Sequence, residues 1–222
     1  MNKICHTFLS RSAAIAATIL ATATLQCAFA DEQLYFDVQE IGQWQNKSFN
    51  GESTYQLTQI NNRKTVAASS QQSASARYYK NKIDLKTTPY LNWSWQVEDL
   101  PDTLSDDSTK SGDDYAARIY VVFKTGFAFW KIASLNYVWA NQRPKGDHWY
   151  NAYTNKVVML AVDSGSGAVG QWRSYKVNVA EDIKKYWSKE VNTLTSIAIM
   201  ADSDDSQSST KSYFGDIWFS AD

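Results

Sequence analysis

Two groups of aspartates beside apolar stretches are the residues of this sequence best suited to chemistry. Asp113 and Asp114 stand just before one apolar run. Asp202, Asp204 and Asp205 stand just after another. Aspartate is common in turns, so we interpret the second group first as a solvated turn of aspartates and serines. Carboxylate oxygens are also the ligands that Ca²⁺ prefers, and a structural calcium site at these three aspartates is the secondary hypothesis.

A charged side chain interrupts the first apolar run at Arg118, which has Tyr120 and residue 122 on its own face of the predicted strand. An arginine in that position must be paired or must face a ligand. Its expected partners are Asp113, Asp114 and, if the two strands adjoin, an aspartate of the second group. We interpret Arg118 as a member of a structural ion pair, and a clamp on a substrate is the alternative.

Aromatic residues suggest a surface for sugar rings. Tyr137 and Trp139 alternate along a predicted strand, and Trp149, Tyr150 and Tyr153 follow in a polar loop. Aromatic faces beside amides and acids can stack on sugar rings while the polar groups bind hydroxyls. For Tyr137 and Trp139 we favour core packing over sugar binding. For the other three, a loop folded over a sheet edge is an equal alternative. The predicted ligand-binding set is Asp113, Asp114, Arg118, Tyr137, Trp139, Trp149, Tyr150 and Tyr153.

The sequence offers little hydrolytic machinery. His148 is the one histidine after the first thirty residues, so a histidine-ligated zinc site is not expected. A glycosidase or lyase would need two carboxylates, such as Glu98 or Glu52 with an aspartate. We assign no catalytic residue and expect a protein without enzymatic activity, with the carboxylate-pair enzyme as an alternative.

The start of the chain has the features of a secretory signal peptide over residues 1–30. A basic beginning precedes an apolar run at residues 13–20, and Ala28-Phe29-Ala30 fits the cleavage pattern. We therefore expect a periplasmic or secreted protein with no transmembrane segment after signal removal. Cys5 and Cys27 would leave with the signal, which excludes disulfides and thiol chemistry from the mature protein. The formal net charge of −1 argues against a nucleic-acid partner, which requires a basic surface.

The elements that must position these side chains are short strands. Residues 91–97 alternate large apolar and polar side chains, the pattern of a strand with one buried face. One short amphipathic helix is expected at residues 180–187. Together they predict an all-β fold, an antiparallel jelly-roll β-sandwich formed by a single domain at residues 31–222. The other predicted strands are residues 34–38, 53–60, 64–69, 76–80, 116–124, 135–140, 156–162, 171–177, 194–201 and 214–220.

Several stretches resemble a bacterial exported family known as domain of unknown function 3047. They are residues 73–75, 93–95, 113–123, 136–139, 172, 197–204 and 215–217. The sequence departs from the family pattern at Asp205-Ser206 and at residues 185–188. The resemblance implies no assigned activity, but a strand layout similar to the jelly rolls of carbohydrate-binding modules and galactose-binding-like domains. We therefore expect a glycan as the partner, with a structural or protein-interaction module of the cell envelope as an alternative.

Overall fold

Alternating side chains along one central strand form the centre of the core. In strand β7 (Tyr90–Asp99), the side chains of Leu91, Trp93, Trp95 and Val97 are at most 1% exposed. The rings of Trp93 and Trp95 meet edge to face, with their centroids 5.5 Å apart. Each such side chain contributes about 1.5–3 kcal/mol on burial, so the period-two pattern accounts for the placement of this strand. The computed structural model describes residues 34–126 and 131–222, and the signal peptide predicted at residues 1–30 lies outside them.

The described residues form two sheets that pack face to face, which confirms the all-β jelly-roll sandwich. The six-stranded sheet has the order β12-β7-β14-β4-β3, with β1 also paired to β14. Its other strands are β1 (Leu34–Phe36), β3 (Thr54–Ile60), β4 (Arg63–Gln71), β12 (Arg173–Asn178) and β14 (Ser209–Ser220). The eight-stranded sheet has the order β10-β11-β9-β8-β13-β5-β2, with β6 paired to β13. Its strands are β2 (Gln45–Asn50), β5 (Ala74–Tyr79), β6 (Ile83–Asp84), β8 (Arg118–Lys124), β9 (Ile132–Ala140), β10 (His148–Asn151), β11 (Thr154–Ser164) and β13 (Thr193–Asp202).

Two α-helices, rather than the one expected, occur in the described part of the chain. Helix α2 (Val179–Trp187) is the predicted one, and Asn178 caps it by accepting the N–H of Glu181. Helix α1 (Val38–Gly42) was not predicted, because a single turn is too short to show a helical period. No helix of the described residues has the length and apolar character needed to cross a membrane.

One strand pair departs from the antiparallel arrangement. Strand β11 runs parallel to β9 and antiparallel to β10. After β9 the chain turns back along the outer edge of the sheet as β10, leaving a gap one strand wide. Strand β11 then returns through that gap, which makes it parallel to β9.

A buried carboxylate holds the loop that leads from β9 to β10. Asp107 is 0% exposed, and its two oxygens accept the backbone N–H groups of Asn141, Gln142 and Arg143, each at 2.8 Å. The turn that presents Asp107 needs Gly112, because a Cβ there would lie 2.3 Å from the carbonyl oxygen of Asp106. Asp107 therefore serves the fold, although it lies close in sequence to the first aspartate group.

We predict that Asp107→Asn lowers the free energy of unfolding by about 2–4 kcal/mol. The amide has one acceptor oxygen and a donor group where a second acceptor is needed, and a buried N–H without a partner costs about 1–3 kcal/mol. Urea denaturation of the two proteins measures the difference.

Asp106→Asn is the matched control for this prediction. Asp106 is the exposed neighbour, ion-paired with Arg143 at the surface, and exposed pairs contribute about 1 kcal/mol or less. Equal losses in the two variants would contradict the role assigned to Asp107.

Candidate functional site

Antiparallel pairing of β8 with β13 brings the two aspartate groups together. Arg118 lies opposite Met200 in the register of these strands. Just beyond, the N–H of Tyr115 donates to Asp202 Oδ1 at 3.0 Å, and the N–H of Asp202 donates to the carbonyl oxygen of Tyr115 at 3.2 Å. The residue that follows the first aspartate pair is thus hydrogen-bonded to the first aspartate of the second group.

Arg118 lies at the centre of this junction and is 3% exposed. Its guanidinium contacts both carboxylate oxygens of Asp202, with Nε 3.0 Å from Oδ1. The same group donates to the carbonyl oxygen of Asp113 at 2.7 Å and to the hydroxyl of Tyr120 at 3.0 Å. Its carbon Cζ lies 4.5 Å from the centre of the Tyr115 ring. The structure therefore shows the ion pair expected from the sequence.

The candidate metal group differs by one residue from the predicted one. Carboxylate oxygens of Asp114, Asp202 and Asp204 lie within 4.8 Å of one another. Asp205, which the sequence suggested as a ligand, instead accepts a hydrogen bond from the hydroxyl of Tyr153.

All three carboxylates already have donors, and Asp204 Oδ2 accepts from the side-chain amide of Asn50 at 3.1 Å. Asp114 accepts the N–H groups of Asp205 at 3.3 Å and of Ser206 at 2.5 Å, and Asp202 is paired with Arg118. A cation at this place would compete with a guanidinium for the same oxygens. Structural calcium at Asp202, Asp204 and Asp205 therefore stays a prediction, and the carboxylates that the fold brings together are those of Asp114, Asp202 and Asp204.

A groove of about 410 Å³ lies on the outward face of the eight-stranded sheet. Tyr120 and Asn136 line it from β8 and β9, whereas their sequence neighbours Ile119 and Tyr137 point into the core between the sheets. The two residues are direct partners in the strand register. The groove is therefore formed by the side chains that alternate with core residues. The groove is also lined by Phe49, Asn50, Asp113, Arg118, Asn151, Tyr153, Met200, Asp202, Asp204 and Asp205.

The groove combines exposed rings with buried polar groups. The rings of Phe49 and Tyr153 are 61% and 56% exposed at its rim. Asn136 is 0% exposed and Asp113 is 5% exposed. In each of these two residues the oxygen Oδ1 has no hydrogen-bond partner among the described residues. Arg118 Nη1 lies 4.0 Å from the Asp113 oxygen, which is too far for a hydrogen bond, so both oxygens have unused acceptor capacity at the groove.

The carboxyl group of Asp113 has an altered acidity. Burial raises the pKa of Asp113 to about 6, while Arg118 and the hydrogen bond from Asn151 oppose the shift, and Asp205 and Asp114 add to it. Strongly shifted carboxyl groups in a cleft are typical of functional sites. Asp113 thus combines a free oxygen, burial and a raised pKa at the wall of the groove.

The predicted aromatic residues at 137 and 139 are part of the core. Tyr137 and Trp139 are both 0% exposed. The Tyr137 hydroxyl donates to Asp182 at 2.9 Å, and the Trp139 indole donates to the carbonyl oxygen of Gly165 at 3.0 Å. Since neither ring can reach a ligand, both leave the predicted binding set, and core packing is the correct interpretation.

The three loop aromatics divide among three environments. Trp149 is 7% exposed, because its ring stacks on Tyr115 at 6.4 Å and lies under the guanidinium of Arg143 at 5.3 Å. Tyr150 is 59% exposed, but it pairs with Val158, whose side chain faces the core, so it lies on the sheet face opposite the groove. Of these three, Tyr153 is the ring that lines the groove.

Several groove residues were missed by the sequence analysis. Asn136 is an amide inside an apolar strand, and this could have been noticed as a signal. Tyr120 could have been found from its place on the same strand face as Arg118. Phe49 and Asn50 gave no signal, because every residue of β2 is exposed and the strand shows no alternation.

Comparison with known proteins identifies a family. Residues 42–218 match the family described as "Protein of unknown function (DUF3047)", so the chain belongs to this family and the resemblance seen in the sequence is confirmed. No curated protein sequence gives a significant match.

Similar solved structures include a carbohydrate-binding module and a cellulase. One is the family 30 carbohydrate-binding module of a cellulosomal cellulase from Clostridium thermocellum, with 13% identity, coverage of 86% of this chain and 98% of that chain, and a TM-score of 0.49. Another is a thermostable cellulase derived from a Rhodothermus marinus enzyme, with 8% identity, coverage of 84% and 99%, and a TM-score of 0.45. These similarities concern the layout of the strands.

We predict that Arg118→Met lowers the free energy of unfolding by about 3–5 kcal/mol. The substitution keeps the length of the side chain but leaves the Asp202 carboxylate buried without its partner, which is costly. Urea denaturation at pH 7.5 measures the loss.

Lys184→Met provides the control for the Arg118 variant. Lys184 is paired with Glu190, and both side chains are largely exposed, so its removal should change stability by less than about 1 kcal/mol. If Arg118→Met were no more harmful than Lys184→Met, the ion pair would not be holding the junction.

We predict that Asp113→Asn stabilises the protein by about 1–3 kcal/mol at pH 7.5. The folded-state pKa of about 6 lies above the ordinary value of 3.8, so the folded protein holds this proton more tightly than the unfolded chain. The contribution of this group to stability is therefore full below pH 3.8 and is lost as the pH rises through 6, at about 1.4 kcal/mol per pKa unit. The amide carries no such penalty.

Unfolding curves at pH 7.5 and pH 4 test this prediction. The gain should shrink to less than about 1 kcal/mol at pH 4, where the wild-type carboxyl is protonated in the folded protein and partly protonated in the unfolded chain. Asp99→Asn, which alters an exposed carboxylate at the end of β7, should change stability by less than about 0.5 kcal/mol at either pH. A loss of stability in Asp113→Asn at pH 7.5 would show that the ionised carboxylate helps the fold.

Proposed function

We propose that this protein binds a saccharide in the groove on the outward face of its eight-stranded sheet. The observation that carries the proposal is the combination at one groove of two exposed rings, Phe49 and Tyr153, with two buried oxygens that lack partners, on Asp113 and Asn136. A sugar ring needs both features, because it has an apolar face of C–H groups and an edge of hydroxyl groups.

The size and chemistry of the groove support a small polar ligand. Its volume of about 410 Å³ falls within the range of about 300–1,000 Å³ typical of small-molecule sites. Amide groups of Asn50, Asn136 and Asn151 line it together with the hydroxyl of Tyr120. These groups can accept from and donate to hydroxyls, whereas the exposed rings provide apolar contact.

The proposed setting is the periplasm or the exterior of the cell. It rests on the signal peptide predicted at residues 1–30, which would export the protein to compartments where envelope glycans occur. A glycan of the cell envelope is accordingly the proposed partner.

Hydrolysis or elimination of the bound saccharide is a second candidate function, favoured by one observation. Asp113 and Asp205 both line the groove, and the raised pKa of Asp113, about 6, suits a general acid near neutral pH. Incubation of oligosaccharides with the purified protein, followed by assay of new reducing ends, tests this function. Activity that disappears in Asp113→Asn would establish it.

Binding to a glycan array, followed by calorimetric titration of the best ligand, tests the main proposal. We predict that Tyr153→Ala and Phe49→Ala each weaken binding about tenfold, since the loss of a stacking ring removes about 1.4 kcal/mol. Tyr150→Ala is the matched control, because Tyr150 is equally exposed but lies on the other sheet face. Its affinity should stay within twofold of the wild type.

Two outcomes would overturn the proposal. One is a folded protein that binds no glycan on the array, which would favour a structural or protein-interaction module. The other is an equal loss of affinity in the Tyr150 and Tyr153 variants, which would place the binding surface elsewhere.

A further inference from the structure

The buried atoms that need a partner in the groove are acceptors. Among the described residues that line it, the buried side-chain atoms without a hydrogen bond are Oδ1 of Asp113 and Oδ1 of Asn136. A buried acceptor left without a donor costs about 1–3 kcal/mol. The ligand must therefore bring donors to this wall. A hydroxyl group supplies one donor hydrogen, whereas an ammonium group supplies three.

The charge of the groove also favours a ligand that carries hydrogen-bond donors and a positive charge. Four carboxylates line it, those of Asp113, Asp202, Asp204 and Asp205, and the cation among the described lining residues is Arg118. Arg118 is almost fully buried and is already bound to Asp202 and to a backbone carbonyl. Its Nη1 also lies 4.0 Å from Asp113 Oδ1, so one guanidinium faces four carboxylates and the groove keeps an excess of negative charge.

Two lysines approach the groove from outside. Lys47 Nζ lies 5.9 Å from the centre of the Phe49 ring, and Lys110 Nζ lies 5.0 Å from the centre of the Tyr153 ring. Both contact rim residues and neither lines the groove. Each also shows that the rim rings accept an ammonium group against their faces, an interaction that contributes about 0.5–1 kcal/mol at exposed sites.

We propose that the groove selects a saccharide carrying a free amino group, such as a glucosamine oligomer, over neutral and anionic saccharides. This inference rests on the proposed saccharide-binding function. The protonated amine donates to the free oxygens of Asp113 and Asn136, and its charge is matched by the remaining carboxylates. An N-acetylated sugar has one amide donor and no charge, and a uronic acid brings a carboxylate against the acidic wall.

Calorimetric titration of the mature protein with four hexamers tests this selection. The probes are a fully deacetylated glucosamine hexamer, its N-acetylated counterpart, a cellulose hexamer and a galacturonate hexamer, each at pH 6.5 in 50 mM and 500 mM NaCl. We expect the glucosamine hexamer to bind at least tenfold more tightly than both neutral hexamers at low salt. The advantage should shrink at high salt, because the ions screen the attraction.

Variants separate selection at the groove from general attraction to an acidic protein. Asp205→Asn should weaken glucosamine binding about fivefold more than it weakens binding of the neutral hexamers. Tyr153→Ala should weaken binding of the glucosamine hexamer and of the neutral hexamers alike, since it removes a ring rather than a charge. Asp99→Asn, which removes a carboxylate outside the groove, should leave the affinity for every hexamer unchanged.

Each contrary result has its own meaning. Equal affinity for amino and neutral hexamers, tighter binding of the galacturonate hexamer, or equal effects of Asp99→Asn and Asp205→Asn would overturn the selection while the saccharide function stands. A folded protein that binds none of the four hexamers would overturn the selection, and the array described above would then decide the saccharide function separately.

Discussion

The site depends on the pairing of one buried arginine. Arg118 occurs in a strand whose other residues suit a hydrophobic core, and a buried guanidinium without a partner would be too costly to keep. Asp202 supplies the matching charge from the end of β13, and backbone hydrogen bonds between Asp202 and Tyr115 fix the same junction. The two acidic stretches are therefore held at one end of the sheet. Because Arg118 uses the backbone carbonyl of Asp113, the side chain of Asp113 is free to line the groove.

The groove arises because the outward face of the sheet carries small side chains next to this junction. Ala74, Ala76 and Ala198 form a cluster with Met200 on that face, and they leave space that larger residues would fill. Strands β2 and β10, near the two edges of the sheet, bring Phe49 and Asn151 to the same groove. The ion pair thus sets the polar wall, the alanines leave the space, and the edge strands supply the rim.

The sequence allowed the fold to be predicted better than the site. Alternation in residues 91–97 and the amphipathic pattern of α2 depend on burial, which leaves a clear periodic signal. The pairing of Arg118 was also predictable, since a charge in an apolar strand requires a partner. The face on which an aromatic residue lies was not predictable at Trp149 and Tyr150, because a shift of one residue reverses the orientation. Phe49 was missed for a different reason, since it lies in a strand without alternation whose place at the sheet edge is fixed by pairing with β5.

The buried aspartates of this protein differ in the hydrogen bonds that their carboxylate oxygens accept. This difference distinguishes the carboxylates that hold the fold from the one that can bind a ligand. Both oxygens of Asp107 and of Asp114 accept backbone N–H groups, so these carboxylates are fully used by the loops that they hold. Asp202 is fully used by Arg118 and Tyr115. Asp113 is buried to a similar degree, yet its oxygen Oδ1 has no hydrogen-bond partner among the described residues. A buried acceptor without a donor costs about 1–3 kcal/mol, and a ligand that donates to this oxygen would offset that cost.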